Sequence, residues 1–171
     1  MKPLFKISLV LILSLAAILP ASAQTKKQIK QAEREAQVKQ LINAQDYVFV
    51  ASYMYPLGGG QRYLNTMYDV HIGKDTVEAW LPYFGVAYAG AGYNTSEDNG
   101  IKFTSTKFDY KADEQKNGSW NIIIRPRDSR TINQLIFTIA KNGNADLSVV
   151  SNNRQRIRFD GYIKEKPKTK K

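Results

Sequence analysis

The chain contains a single histidine, and its position relative to a carboxylate raises the question of catalysis. His71 follows Asp69 by two residues, so in an extended strand the two side chains lie on the same face. A carboxylate in that position can orient an imidazole for the general acid–base chemistry of a hydrolase. No serine stands in the nucleophile-elbow motif that would complete such a site. We therefore predict no catalytic residue, and a hydrolase using this pair is the least favoured function.

Residue types that bind metal ions are scarce in this chain. The absence of cysteine and the single histidine exclude thiolate sites and histidine-rich sites. The loop from Asn94 to Gly100 offers side-chain oxygens and a glycine, as calcium loops do. It lacks the spaced acidic residues and the terminal glutamate of an EF-hand. We therefore expect neither a metal ion nor another cofactor.

Aromatic residues give a stronger indication of a binding surface. Several lie in a short window after residue 79, and another opens a later strand. Aromatic side chains with a polar tip are favoured where one end is buried and the other meets a ligand or a partner. Large aromatic residues also fill the core of small β domains that have no disulfides, so both interpretations stay open. The predicted ligand-binding residues are Trp80, Tyr83, Phe84, Tyr88, Trp120 and Arg125.

The stretch that carries most of these aromatic residues predicts a strand that runs into a bend. Apolar and polar residues alternate from Val77 to Leu81, which is typical of a half-buried β-strand. Pro82 has no backbone donor, so strand pairing ends there or reaches a sheet edge. The aromatic residues that follow form a corner that either closes a small β core or lines a pocket.

The chain has the same β texture from residue 46 onward. Short alternating segments are separated by turn signals, among them Gly73-Lys74-Asp75, Asn117-Gly118 and Asn142-Gly143-Asn144. This spacing indicates about eight strands joined mostly by hairpins, without the alternation of strands and helices that marks a parallel sheet. The predicted fold class is therefore mainly β. Residues 46–164 form a single antiparallel domain, either a meander barrel or a two-sheet sandwich.

Two of the predicted strands carry more specific expectations. The segment Tyr47–Tyr55 is apolar on both faces, which is typical of a central strand. The segment Ile101–Lys111 is predicted as one long strand whose apolar parity shifts between Phe103 and Phe108. A β-bulge would produce such a shift.

The first residues predict export. A basic start, an apolar run from Ile7 to Leu19 and the small residues Ala21-Ser22-Ala23 form a signal peptide over residues 1–23, with cleavage after Ala23. The apolar run is too short to span a bilayer comfortably, and there is no cysteine for a lipoprotein anchor. We therefore expect a periplasmic or secreted protein that is not a lipoprotein.

The basic excess lies mainly in two terminal segments of a chain whose formal net charge is +10. Residues 24–45 are rich in helix formers and predict an N-terminal α-helix, with its second half packed on the domain and its first half solvated. Residues 165–171 predict a disordered basic tail. A nucleic-acid-binding domain carries its basic residues on the folded face. We therefore expect no nucleic-acid partner, and only peripheral contact of the basic termini with acidic surfaces.

Several of these features occur together in a known family. They include the exported N-terminus, the Lys/Glu-rich helix and the segment Leu81-Pro82-Tyr83-Phe84-Gly85. An apolar strand after Asn117-Gly118 and a closing strand with Phe159, Gly161 and Ile163 at alternate positions complete the set. The chain resembles domain of unknown function family 4251, secreted proteins of Bacteroides-type bacteria. The resemblance implies no activity and no catalytic residues.

The function that we expect is that of a non-enzymatic envelope protein. The aromatic corner favours binding of a small apolar or amphipathic ligand, or of a protein partner in the envelope. The alternative is a structural or assembly factor that uses its helix and its basic ends to hold a partner or an acidic surface. The sequence does not predict an oligomeric state.

Overall fold

The computed structural model describes residues 19–85 and 100–167, with side chains from Thr25 onward. These residues form helix α1 (Leu19–Ala44) and nine strands. The strands are β1 (Tyr47–Pro56), β2 (Arg62–Ile72), β3 (Val77–Leu81), β4 (Ile101–Ser105), β5 (Phe108–Glu114), β6 (Trp120–Pro126), β7 (Ile132–Ile139), β8 (Asn144–Ser151) and β9 (Ile157–Lys164).

The strands form one antiparallel sheet in the order β4-β3-β2-β1-β9-β8-β7-β6-β5. Strands β1 to β4 make one meander and β5 to β9 make a second, and the two meanders join where β1 pairs with β9. The first and last strands of the sheet, β4 and β5, are consecutive in the chain, so the sheet curls into a nearly closed barrel. This confirms the mainly β, antiparallel prediction and favours the barrel over the sandwich.

The predicted long strand over Ile101–Lys111 is wrong, because the chain breaks there into β4 and β5. Asp128, from the β6–β7 connection, holds this break. Its carboxylate accepts hydrogen bonds from the Ser105 hydroxyl at 2.5 Å and from the backbone N–H groups of Thr106 at 3.0 Å and Lys107 at 3.2 Å. The shift in apolar parity therefore reflects passage from one end of the sheet to the other, and a bulge within one strand does not explain it.

Packed side chains fill the space inside the barrel. The ring centroids of Phe49 on β1 and Phe137 on β7 lie 5.6 Å apart in an edge-to-face contact. The hydroxyl groups of Tyr47 and Tyr110 lie 3.3 Å apart, which links β1 to the end strand β5. Each large apolar side chain buried in this way contributes about 1.5–3 kcal/mol. The inner face of the sheet is therefore the hydrophobic core.

The central strand β1 is buried on both faces, as its sequence predicts. Val48 and Val50 are buried although they alternate with the core residues. The register of β1 shifts between Ala51 and Tyr53, which is a β-bulge. At this bulge β9 approaches so closely that a Cβ atom on Gly161 would overlap the carbonyl oxygen of Val50. A residue without a side chain is therefore required at position 161.

Helix α1 lies across the end of the barrel that carries the β5–β6 and β7–β8 turns. Val38, Leu41 and Ile42 are buried in the core, whereas residues 25–33 are exposed, as the sequence predicts. The Arg34 guanidinium donates hydrogen bonds to the carbonyl oxygens of Asn142 at 3.1 Å and Ile163 at 2.8 Å. The helix begins at Leu19, within the segment that the sequence predicts as a signal peptide.

No helix in the described part of the chain is long and apolar enough to cross a membrane.

Candidate functional site

Trp80, the first of the predicted ligand-binding residues, lies on the outer face of β3. Its side chain is 49% exposed, whereas its neighbours Ala79 and Leu81 point into the core. The ring packs edge to face on Tyr68, with centroids 6.0 Å apart, and the Lys102 ammonium lies 5.9 Å from the ring. The indole is therefore accessible, and it is supported by protein groups on both sides.

Tyr83 and Phe84 follow at the end of β3, and each is covered by an arginine. The Tyr83 hydroxyl donates a hydrogen bond to the carbonyl oxygen of Gln155 at 3.2 Å, and the Arg154 guanidinium lies 5.0 Å from its ring. The Arg62 guanidinium lies 4.9 Å from the Phe84 ring. These contacts tie the β3 end to β2 and to the β8–β9 connection. Trp80, Tyr83 and Phe84 are called the aromatic corner below.

The other predicted residues do not join the aromatic corner. Trp120 is 7% exposed and belongs to the core, beneath helix α1, where the Lys39 ammonium lies 5.9 Å from its ring. Arg125 lies on β6, which does not pair with β3, and its Nε donates a hydrogen bond to the Gln134 side-chain oxygen at 3.3 Å. Tyr88 lies outside the described residues. The six predicted residues therefore do not form one site among the described residues.

A groove of about 600 Å³ lies elsewhere, on the outside of the sheet, and is open to solvent. Ser52 and Tyr53 of β1, Asp160 and Tyr162 of β9 and Asp146 of β8 line it, together with polar residues of β7 and the β5–β6 turn. We call this depression the outer groove. It is the candidate binding site, because aromatic rings and ionisable groups converge there.

The strand register explains why these side chains meet. Residues directly opposite one another on paired strands project from the same face of a sheet. One such row crosses five adjacent strands, from β2 to β7. It consists of Tyr63, Tyr53, Asp160, Asp146 and Thr138. The β1 bulge shifts the register so that Tyr53 stands opposite Asp160.

The aromatic side chains of this region are exposed. The ring of Tyr53 contacts that of Tyr63 edge to face, with centroids 5.4 Å apart, and Tyr63 is 70% exposed. Tyr162 is 41% exposed on the neighbouring strand β9. These rings leave apolar surface of the sheet in contact with water.

Two carboxylates face each other across β8 and β9 in the outer groove. Asp146 stands directly opposite Asp160, an arrangement of like charges that destabilises a sheet. Partial burial, followed by the hydrogen bond to Asp160 and its negative charge, raises the pKa of Asp146 to about 6. Arg158 opposes this effect, since its Nε lies 3.8 Å from an Asp146 oxygen and 3.7 Å from an Asp160 oxygen.

Both oxygens of the Asp160 carboxylate have a neighbour that holds them in place. The Tyr55 hydroxyl donates a hydrogen bond of 2.6 Å to Oδ2, and this hydrogen bond raises the pKa of Tyr55. The Arg158 guanidinium stacks 4.5 Å from the Tyr55 ring, which fixes the tyrosine in place. The second oxygen, Oδ1, is shielded from water and accepts no hydrogen bond in the described structure, but it forms an ion pair with Arg158, whose Nε lies 3.7 Å away. Asp160 is therefore fixed by Tyr55 and Arg158, and the more exposed Asp146 beside it presents carboxylate oxygens to the groove.

The alternation of Phe159, Gly161 and Ile163 in the closing strand puts Asp160 and Tyr162 on its other face, but it does not reveal the outer groove. The opposition of Asp146 and Asp160 depends on the register of β8 against β9, and the position of Tyr53 depends on the β1 bulge. Neither is visible in the spacing of residues along one strand. The one usable signal is Gly161, a glycine inside an otherwise regular strand, which indicates a bulge or a close backbone approach.

The pair formed by Asp69 and His71 shares one face of β2, as its spacing predicts. The His71 Nε2 lies 3.2 Å from an Asp69 carboxylate oxygen. The residues opposite His71 are Val48 on β1 and Glu78 on β3, and neither supplies a nucleophilic hydroxyl. The described geometry therefore contains an oriented imidazole but places no serine directly across from it.

Residues 19–85 and 100–167 contain no group of three or more histidine or acidic side chains that could hold a metal ion. The loop considered as a calcium site lies, over Asn94–Asn99, outside these ranges.

Comparisons with known proteins identify the family. The family described as Domain of unknown function (DUF4251) matches residues 29–163. The crystal structure of a DUF4251 family protein from Bacteroides eggerthii DSM 20697 is similar to this fold, with a TM-score of 0.56 and 17% sequence identity. The match covers 79% of this chain and 91% of that chain. No curated protein matches the sequence. This chain, with its nearly closed barrel and N-terminal helix, therefore belongs to the DUF4251 family.

Proposed function

We propose that this protein is an exported, non-enzymatic binding domain of the cell envelope, and that its ligand lies in the outer groove. One observation carries the proposal. The exposed tyrosines and the opposed carboxylates of three adjacent strands meet in one depression. A sheet that keeps two like charges directly opposite each other gives up stability. Such a cost is typical of residues retained for binding.

The interior of the barrel is less suited to a ligand. The edge-to-face contact of Phe49 with Phe137 and the approach of Tyr47 to Tyr110 place large rings across it. Protein cores are packed about as densely as organic crystals, so a ligand inside would have to displace these rings. The outer face, by contrast, offers rings that already meet water. An amphipathic ligand suits it, because the groove combines aromatic faces with polar groups.

The experiment is a binding measurement that separates the outer groove from the aromatic corner. Purified protein is incubated with a lipid mixture and, separately, with a glycan mixture, and native mass spectrometry identifies what stays bound. We expect Tyr53→Ala to abolish binding, because Tyr53 lines the outer groove, and Trp80→Ala to leave it unchanged. The two variants are matched, since each removes an exposed aromatic ring. Loss of binding in Trp80→Ala alone would move the ligand to the aromatic corner.

Export is part of the proposal and has its own test. The basic and apolar start of the chain and Ala21-Ser22-Ala23 support cleavage by a signal peptidase. When the full chain is produced in a Gram-negative host, we expect mature protein outside the cytoplasm with Gln24 as its first residue. Intact protein that keeps Met1 and stays in the cytoplasm would contradict export.

A second candidate function, an assembly factor of the envelope, is favoured by the exposed stretch of residues 25–33 in the first half of α1. Lys26, Lys27 and Lys30 lie in that half, far from the buried residues of the helix. Replacing these three lysines with glutamate should leave folding intact and should abolish sedimentation with anionic vesicles if the helix is an electrostatic arm. Unchanged sedimentation removes this function. A hydrolase based on Asp69 and His71 is the least favoured candidate. If every hydrolytic activity measured for the protein is unchanged in His71→Ala, this candidate is excluded.

A further inference from the structure

We infer that the ligand of the outer groove is a carbohydrate, whose ring lies against the exposed tyrosines and whose hydroxyl groups donate hydrogen bonds to Asp146 and Asp160. The inference rests on the proposed binding function and adds the chemical class of the ligand. It follows from three properties of the groove: the kind of hydrogen-bonding group that is missing, the character of the exposed rings and the charge of the remaining lining.

The carboxylate pair formed by Asp146 and Asp160 requires hydrogen-bond donors. An ionised carboxylate only accepts hydrogen bonds, and two of them face each other here. The Tyr55 hydroxyl donates to Oδ2 of Asp160, and Arg158 pairs with the buried Oδ1. The side chains of Asp146 and Asp160 remain 55% and 35% exposed, so a ligand in the groove can reach the pair. The Arg158 Nε stands 3.8 Å from the Asp146 oxygen, which is too long for a hydrogen bond. Neighbouring hydroxyl groups of one sugar ring can each donate to a different carboxylate.

Other ligand classes fit this pair less well. A phosphate or carboxylate ligand would meet two negative groups at short range and be repelled. An acyl chain would remove water from the carboxylates without supplying a donor, and an unpaired buried charge is costly. A hard cation such as Ca²⁺ needs six or more oxygen ligands, whereas the described pair is accompanied by the positive charge of Arg158. A neutral ligand that carries hydroxyl donors avoids all three costs.

The tyrosines suit the apolar face of a sugar ring. Tyr53 and Tyr162 border the groove, and Tyr63 extends the surface through its contact with Tyr53. Each ring offers an apolar face and a hydroxyl tip, so a ligand with C–H groups on one side and hydroxyls on its rim is matched by both. The tyrosine rings provide apolar contact area for the sugar ring, and the carboxylates fix its orientation through hydrogen bonds to its hydroxyl groups.

The rest of the lining carries no further charge and is rich in hydroxyl and amide groups. Such groups donate and accept hydrogen bonds, as sugar hydroxyls do. The volume of about 600 Å³ lies within the ordinary range for ligand sites, and the open form admits a chain of sugars as well as a single one. The polar members of this lining are Ser52, Gln61, Asn117, Ser119, Thr138 and Asn144.

The test uses the mature chain with the helix in place. A panel of neutral oligosaccharides built from glucose, galactose, mannose and N-acetylglucosamine is titrated, and the affinity of each is measured by calorimetry. Vesicles of phosphatidylcholine serve as the apolar comparison. We expect at least one oligosaccharide to bind, with an affinity about tenfold lower in Asp146→Asn and in Asp160→Asn, the loss expected for a hydrogen bond to a charged group.

The matched control is Asp113→Asn. Asp113 is a carboxylate on β5 whose side chain is 50% exposed, against 55% for Asp146, but it lies outside the groove and pairs with Lys111 at 3.0 Å. Its replacement should leave the affinity unchanged. Circular dichroism of every variant establishes that the fold is retained.

The outcomes separate this inference from the proposed function. Binding of vesicles but of no oligosaccharide, with loss of binding in Tyr53→Ala, would overturn the carbohydrate and leave the groove as a binding site. Oligosaccharide binding that Asp146→Asn and Asp160→Asn leave unchanged would overturn the role of the carboxylate pair. Failure of both probes to perturb the amide signals of β1, β8 and β9 in NMR spectra would overturn both conclusions.

Discussion

The aromatic corner and the outer groove both expose aromatic rings on the outside of the same sheet, but their surroundings differ. In the corner, cationic side chains of the protein already cover the rings, with Arg62 over Phe84 and Arg154 over Tyr83. In the groove, Tyr53 and Tyr63 contact each other next to two carboxylates that repel. Cation–π contacts of this kind contribute about 0.5–1 kcal/mol at exposed sites. The comparison suggests that the corner's aromatic rings stabilise the fold, whereas those of the groove are available for binding.

The largest expected effect follows from the close approach of β9 to β1 beneath the groove. Gly161→Ala should destabilise the protein by about 3 kcal/mol, because the added methyl overlaps the Val50 carbonyl oxygen and must push two central strands apart. Urea unfolding followed by circular dichroism measures the loss. Gly60→Ala is the control, since a Cβ at that position meets nothing within 4 Å. Equal unfolding midpoints for both variants would show that β1 and β9 adjust freely.

Acidification should weaken the binding of the ligand in the outer groove. Because the pKa of Asp146 is raised to about 6, protonation below that pH lets the two carboxyls hydrogen-bond each other and removes an acceptor from the ligand. Oligosaccharide affinity should therefore fall about tenfold between pH 7 and pH 5, by proton linkage at one site. Asp146→Asn should abolish this dependence. An affinity that rises on acidification would contradict hydroxyl donation to an ionised pair.

The same carboxylate should affect stability in the opposite direction. A carboxyl whose pKa is higher in the folded than in the unfolded protein stabilises the fold at low pH, and this contribution is lost as the pH rises through about 6. Asp146→Asn should therefore raise the unfolding free energy at pH 7 by about 1 kcal/mol, a value kept small because half of the side chain is in water. The gain should vanish below about pH 4, near the ordinary pKa of an aspartate. Thermal unfolding at both pH values tests the sign.

The smallest effect is expected in the aromatic corner. Lys102→Ala removes a cation 5.9 Å from the Trp80 ring and should lower the unfolding free energy by about 0.5 kcal/mol. It should not change oligosaccharide affinity. Tyr53→Ala should give the reverse pattern, with a small stability effect and complete loss of binding. A binding defect in Lys102→Ala would show that the two regions form one surface.

Local sequence patterns predict those parts of the fold that depend on neighbouring residues. The alternation over Val77–Leu81, the glycine turns at Gly118 and Gly143 and the half-packed helix are all found as predicted. Gly118 and Gly143 have φ values of +78° and +90°, a conformation that other residues rarely adopt. These features are set within a few residues along the chain.

Contacts between distant residues explain the features that were missed. The break between β4 and β5 is held by Asp128, which lies more than one strand away in the sequence. Trp120 alternates with Asn121 and stands opposite the buried Ile139 of β7, so it belongs to the core and not to a binding surface. The outer groove depends on register across β8, β9 and β1, which no single strand encodes.

The pairing of β1 with β9 brings together the segments that enter and leave the barrel. Val48 at the start of β1 stands opposite Lys164 at the end of β9, and Lys166 reaches Asp46 at 2.8 Å. The helix and the C-terminal segment therefore leave the barrel side by side, next to the same rim. A partner that grips residues 44–46 would therefore also touch residues 165–167, and it would present the outer groove in one fixed orientation.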